Sequence, residues 1–268
     1  MNGIESLGSA ALLGLVPALG LMFVVWVSSL VLRDASLVDR CWGFGFVLLA
    51  WFWWLTGPRE SLMLIPVVLV TLWGLRLSLY LSWRNWNHGE DYRYRQMRDK
   101  HGPRFWWVSL FTVFVLQGLI MWLVAFPLLM VGHGSPPDTP WVWLLGIGGL
   151  LWLVGFVFES VGDWQLARFK ADPANRGRVM DRGLWRYTRH PNYFGDVCVW
   201  WAYWLMSVPV GGWWTFFGPA LMTFFIARVS GVTLLEKSLA EKKPEYVDYV
   251  RRTNALIPGP PRARGGDS

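Results

Sequence analysis

The chain has two cysteines, Cys41 and Cys198, and no CxxC pair, so neither a disulfide framework nor a thiolate metal site is indicated. Its histidines, His88, His101, His133 and His190, are scattered. No HExxH or comparable ligand spacing occurs, which argues against a zinc or di-iron membrane enzyme. No GxGxxG follows a strand, so any dinucleotide is held without a Rossmann fold. No internal repeat is visible, and the polar cluster lies at span ends instead of mid-span, which leaves a transporter or scaffold with little support. No soluble segment remains in which nucleic-acid binding could sit. The net charge of +7 is therefore read as membrane topology plus attraction to anionic lipid.

What the chain has in excess is apolar surface. Of its 268 residues, 54% are hydrophobic and 21 are Trp, more than one soluble core of that size needs, so lipid is the solvent for much of it. A bilayer crossing takes roughly 20 apolar residues. The apolar runs predict an all-α, polytopic transmembrane bundle of about seven spans, at 10–32, 42–57, 61–83, 106–131, 140–162, 193–210 and 213–235. The first run lacks a basic lead-in and a small-residue cleavage site, and is read as a retained span. The second and sixth are short, and Gly211-Gly212 joins the last pair, so six spans is the alternative count.

Basic residues mark the cytoplasmic loops. Arg33 and Arg40 flank the first loop. Arg84, Arg93, Arg95, Arg98, Lys100 and Arg104 crowd the third, and Arg168, Lys170, Arg176, Arg178, Arg182, Arg186 and Arg189 the fifth. The fourth loop carries only Asp138. Seven spans with the N-terminus outside and the C-terminus cytoplasmic satisfy these preferences, in a single multi-pass domain of a bacterial inner membrane.

Polar groups concentrate between Glu159 and Pro258. In GLWRYTRHPNYFGD, residues 183–196, Arg186, Arg189, His190, Asn192 and Asp196 enter an apolar run, where burial without partners costs several kcal/mol. Headgroup contact, with Asn192 as a helix cap, is one reading; a ligand site is the other. Upstream, Glu159 and Asp163 stand four apart on one helix face at a span end. Downstream come Arg228, Glu236, the pair Tyr246 and Tyr249, and then NALIP at 254–258. Each also has a plain structural explanation: Arg228 snorkels, Glu236 pairs near Lys237, and the tyrosines line a surface helix. Arg76, inside an otherwise apolar run, demands an anion.

RHPNYFGD preceded by GL and an aromatic, an acid-bearing span before it, and a Tyr and Ile-Pro ending together resemble the C-terminal domain of the steroid 5-alpha-reductase and sterol reductase superfamily. The likeness is strongest over 155–258. SLVDRCWGFGF, LWGLRLSLYLSWRNW and EDYRYRQMR extend it over most of the chain to the bacterial branch long labelled a domain of unknown function. The resemblance implies a seven-span bundle that holds NADPH in a pocket open to the cytosol, beside a lipid-facing cavity for a hydrophobic enone.

Residue by residue, the resemblance assigns Glu159 to the nicotinamide end and Asp163, Arg178, Asn192 and Asp196 to cofactor binding. It also matches Arg76, Arg228, His190 and Tyr193 to cofactor-site positions, with Glu236, Tyr246 and Tyr249 in the tail. The phosphates of NADPH require fixed cations, and Arg168, Lys170, Arg178, Arg186 and Arg189 supply them. The animal enzymes carry an early Gln-Glu pair and a partner Tyr; CWGFGF has no Glu, and Trp73 stands near the Tyr position, which puts steroid specificity in doubt.

Reduction of an activated alkene needs a hydride and a donor that stabilises the developing enolate. Asp39 paired with Tyr92 or Tyr94, with Glu90 nearby, is the candidate set; the alternative is that Asp39 balances Arg40 or Arg33. The competing activity is an S-adenosylmethionine-dependent methyltransferase, because the isoprenylcysteine and phospholipid enzymes carry a related RHPxYxG and a similar tail. The expected partners are a lipophilic small molecule and membrane lipid, with no nucleic acid and no obligate protein partner.

Overall fold

The computed structural model describes residues 7–137, 139–230 and 245–262. No strand occurs among the described residues, and one isolated bridge joins Thr188 to Asn254. Four helical runs are long and apolar enough to cross a membrane: Leu7–Leu32, Ser61–Arg84, Tyr92–Val124 and Trp143–Ala171. They mark the chain as a membrane protein. Exposed Val16, Leu79 and Leu150 are the side chains that lipid would cover.

The remaining sequence-predicted spans are helical in part. Leu37–Thr56 starts earlier than expected, because the chain reverses just before it. There Arg33 adopts a left-handed conformation (φ 53°) and the Asp34 carboxylate accepts from the Ser36 amide at 2.9 Å. Pro191–Ser207 ends before the Val208–Val210 turn, where Pro209 supplies no amide hydrogen. Phe217–Phe224 passes into a π turn, Phe225–Ser230. Glu236 lies outside the described residues. The predicted run 106–131 is not one continuous α-helix. A π turn occupies Leu110–Val115, and the helix breaks at Ala125, two residues before Pro127, into Leu116–Val124 and Phe126–His133.

The chain divides into two compact units, Met1–Leu145 with Trp204–Gly218, and Gly146–Tyr203 with Pro219–Ser268. The first packs fully buried Phe46, Leu49, Trp53, Trp73, Phe114 and Met121. Gly43 and Gly74 set a close helix approach: a Cβ on Gly43 would lie 2.3 Å from the Gly74 carbonyl oxygen. Small residues substitute here for a hydrophobic driving force, which lipid does not provide between helices.

In the second unit the same device brings Trp143–Ala171 against Pro191–Ser207. A Cβ on Gly195 would lie 2.5 Å from both the Gly155 oxygen and the Glu159 nitrogen. Trp152 donates to the Tyr203 hydroxyl at 2.9 Å and Trp201 to Thr223 at 3.2 Å. Indole and hydroxyl are thus satisfied inside the helical packing, where water cannot serve them.

Candidate functional site

The second unit builds its site by stitching a loop to a later segment. The connection 172–190 leaves Glu159's helix and re-enters at Pro191, and the segment 245–262 closes over its last part, 183–190. The Arg189 amide donates to the Asn254 oxygen at 2.9 Å and the Gly259 amide to the Tyr187 oxygen at 3.0 Å. The Thr188 hydroxyl reaches the Ala255 and Leu256 carbonyls at 3.1 and 2.8 Å. Arg189 donates through Nη1 to the carbonyls of Val250, at 3.1 Å, and Thr253. The Tyr249 hydroxyl donates to the Trp185 carbonyl. Burial pushes that phenol above its ordinary range, so Tyr249 stays a donor. Trp185 in turn donates from its indole to the Gly162 carbonyl at 3.0 Å.

Behind this weave lies a cavity of about 510 Å³, within the range of small-molecule and cofactor sites. Among the described residues its cations are Lys170, Arg176, Arg178 and Arg189 and its carboxylate is Asp172; its apolar wall includes Phe169, Met180 and Trp185, with Tyr246 and Tyr249. His190 also lines it, stacked on Tyr193 with ring centroids 5.3 Å apart. Cations beside flat rings suit a ligand that carries both phosphate and a base.

The sequence candidates divide accordingly. Lys170, Arg178, Arg189, His190, Tyr246 and Tyr249 meet in the cavity, while Arg189 and Tyr249 also hold the backbone together. Glu159 and Asp163 are buried, 3% and 4% exposed, and Asp163 accepts from the Asn192 amide at 3.2 Å. Asn192 therefore cross-links two helices instead of capping its own. Its Oδ1 is buried with no hydrogen-bond partner among the described residues, so it can receive a ligand donor. Asp196 lies one turn further along the same helix. Arg168 is exposed with its guanidinium 5.5 Å from the Trp164 ring, and Arg228 is exposed on the π turn. Arg186 faces a different cavity. Arg76 belongs to the first unit, 5.4 Å from the Tyr80 ring. The sequence reading left Trp185, Met180 and Asp172 off the site; a Trp within GLWRYTRHP was the available signal for the first.

In the first unit, Asp39 and Tyr94 meet. The phenol donates to Asp39 Oδ1 at 2.8 Å, Arg93 holds Oδ2 at 3.0 Å, and the Gln117 amide donates to the phenol oxygen at 3.2 Å. Gln117 was legible as a lone amide in an apolar run. Tyr92 is exposed and outside this chain of bonds. Glu90 is a clamp. Arg98 grips it through Nη2 at 2.7 Å and Nε at 3.0 Å, and the Ala35 amide donates to it at 2.8 Å. Asp91 caps the Tyr92–His101 helix by accepting from the Arg93 amide at 2.9 Å.

Burial raises the Glu90 carboxyl, but the Arg98 and Ala35 hydrogen bonds outweigh it and hold the group below its ordinary 4.5. A depressed carboxyl stabilises the fold fully above that ordinary value and loses the contribution as pH falls through the folded one. Melting temperature is expected to drop on acidification below about 4.5, and Glu90→Gln to flatten that drop while lowering stability at pH 7. A variant that melts with the parent's acid profile would remove Glu90 from this role.

Among known proteins, the chain is 29% identical over 268 aligned residues to a Schizosaccharomyces pombe protein described as "Uncharacterized protein C594.04c", covering 88% of this chain and 76% of that one. No solved structure matches. A family model spans residues 25–253, both the Asp39–Tyr94 cluster and the loop around the cavity, and the chain belongs to that family, described as "Protein of unknown function (DUF1295)".

Proposed function

We propose that this protein is an NADPH-dependent membrane reductase that delivers hydride to an activated carbon–carbon double bond of a lipophilic, enone-like substrate. The observation that carries the reading is the cavity of the second unit, which among the described residues gathers four cations and several aromatic rings beside one carboxylate. Its walls come mostly from the stretch 166–180, with Arg189 and His190 opening RHPNYFGD; that motif, tied by hydrogen bonds to NALIP, carries the resemblance to the steroid 5-alpha-reductase and sterol reductase superfamily. Lys170, Arg176 and Arg178 would hold the phosphates, and Trp185 and Tyr246 offer ring faces. The nicotinamide would supply the hydride. A methyl donor such as S-adenosylmethionine carries no phosphate, and this lining would be wasted on it.

The reading includes a seven-span, multi-pass arrangement in a bacterial inner membrane, with the N-terminus outside and the loop 172–190 cytoplasmic. The helical runs Leu37–Thr56, Pro191–Ser207 and Phe217–Phe224 support it, since they fall on the three predicted spans beyond the four long ones. For the donor that an enone reduction requires, the first unit offers Tyr94. Asp39, ion-paired with Arg93, acts as an acceptor that orients the phenol.

The test is equilibrium binding of NADPH, NADH and S-adenosylmethionine to detergent-purified protein. Saturable NADPH binding without methyl-donor binding is expected. Methyl-donor binding without NADPH binding overturns the reading in favour of the methyltransferase.

A further inference from the structure

A second cavity of about 520 Å³ lies elsewhere in the same unit and shares no lining residue with the first. Among the described residues its walls are Asp181, Arg182, Gly183, Arg186, Arg252, Thr253, Pro261 and Arg262, four guanidinium groups against one carboxylate. That carboxylate is already engaged, because Asp181 accepts from Arg252 Nη2 at 2.6 Å. The Arg252 Nε atom is buried with no hydrogen-bond partner among the described residues. The side chains of Arg182, Arg186 and Arg262 are exposed and make no ion pair among the described residues.

The site is built from separate stretches of chain and held in register. The Arg262 amide donates to the Arg252 oxygen at 2.9 Å, and the Asp181–Arg252 pair ties the loop to the Glu245–Arg252 helix. Three unpaired guanidinium groups held this way repel one another unless an anion joins them. Among the described residues no aromatic ring lines the cavity and Pro261 is its one apolar side chain, so these walls offer nothing for a base or a ring system to stack on.

We propose that this cavity is a second anion site, which takes a phosphomonoester or diphosphate group independently of the cofactor cavity. Guanidinium forks match phosphate oxygens two at a time, and three or four of them around one cavity select a multiply charged phosphate over a monoanion. The group can arrive on a lipid headgroup or on a soluble phosphate compound; the chemistry recognised is the same.

The test titrates the detergent-purified full chain with inorganic pyrophosphate and, in a parallel arm, with dioctanoyl phosphatidic acid against dioctanoyl phosphatidylcholine. The parent is expected to bind pyrophosphate and phosphatidic acid but not phosphatidylcholine. The Arg182→Gln, Arg186→Gln, Arg262→Gln triple variant should bind at least about tenfold more weakly, the loss of one or more charge-assisted hydrogen bonds. Tighter binding of phosphatidic acid than of pyrophosphate assigns the headgroup, and the reverse order assigns a soluble phosphate. Pyrophosphate should also enter the cofactor cavity, so the titration is repeated with NADPH saturating, and the binding component that the triple variant loses should persist in the parent. If NADPH fails to bind, the reductase reading falls and this one stands. Should the triple variant melt before the assay temperature, the single Arg186→Gln and Arg262→Gln variants decide, each expected to bind about threefold more weakly. The proposal is overturned by undiminished binding in the folded variants, by no binding of either probe to the parent, or by NADPH removing the pyrophosphate component that depends on Arg182, Arg186 and Arg262.

Discussion

The Arg176→Ala, Arg178→Ala double variant is expected to bind NADPH between about tenfold and a hundredfold more weakly than the parent. Both side chains line the cation-rich cavity and both are exposed. A charge-assisted hydrogen bond to phosphate contributes roughly 1.5–3 kcal/mol, and each 1.4 kcal/mol is tenfold in affinity; exposure to water pulls the figure towards the lower end. The preference for NADPH over NADH should narrow in the same variant, and salt should weaken parent binding more than variant binding. Melting curves without ligand separate the explanations, because a fold defect lowers the unliganded melting point while a lost contact shrinks only the ligand-induced rise. An undiminished rise in the double variant would sink the assignment of this cavity to the nucleotide.

The second large effect is structural. Gly195→Val should destabilise the protein by about 3 kcal/mol or prevent its folding, because even a Cβ there would lie 2.5 Å from the Gly155 oxygen and the Glu159 nitrogen. These are backbone atoms, which cannot swing aside. The helices would part at the point where Asp163 meets Asn192 at 3.2 Å, so nucleotide binding should fall with stability. Gly146→Ala is the matched control: it lies on the same Trp143–Ala171 helix, and a Cβ there meets nothing within 4 Å. That change should be neutral or slightly stabilising, through helix propensity alone. Equal melting points for the two variants would show that the close contact is not what holds these helices.

Much of this was legible in the sequence because lipid leaves few ways to bury charge. Glu159 and Asp163, four apart on one face, could only turn inward together, and they do. The link between RHPNYFGD and NALIP is borne by hydrogen bonds at Thr188 and Arg189. The division of labour among arginines was not legible. A guanidinium that feeds backbone carbonyls, as Arg189 does, and one exposed in a cavity wall, as Arg178 is, look alike in a basic loop. Only the path of the 245–262 segment tells them apart, and local composition does not encode that path. The break at Ala125 was readable from Pro127, whereas the π turn at Leu110–Val115 has no residue signature of its own.

The weave of the 183–190 loop with the 245–262 segment also sets an order of assembly. During synthesis the loop emerges before the residues that satisfy it. Until Val250, Thr253 and Asn254 arrive, the Arg189 guanidinium and amide must be served by water, since burying them alone is costly. The loop therefore stays hydrated until then, and the cavity walls close only when the later segment docks. A released chain that ends at residue 244 would keep the helix Trp143–Ala171 and lack Tyr246 and Tyr249 in the cavity wall, so a loop more open to protease in that truncated chain than in the full one would report on this last docking step.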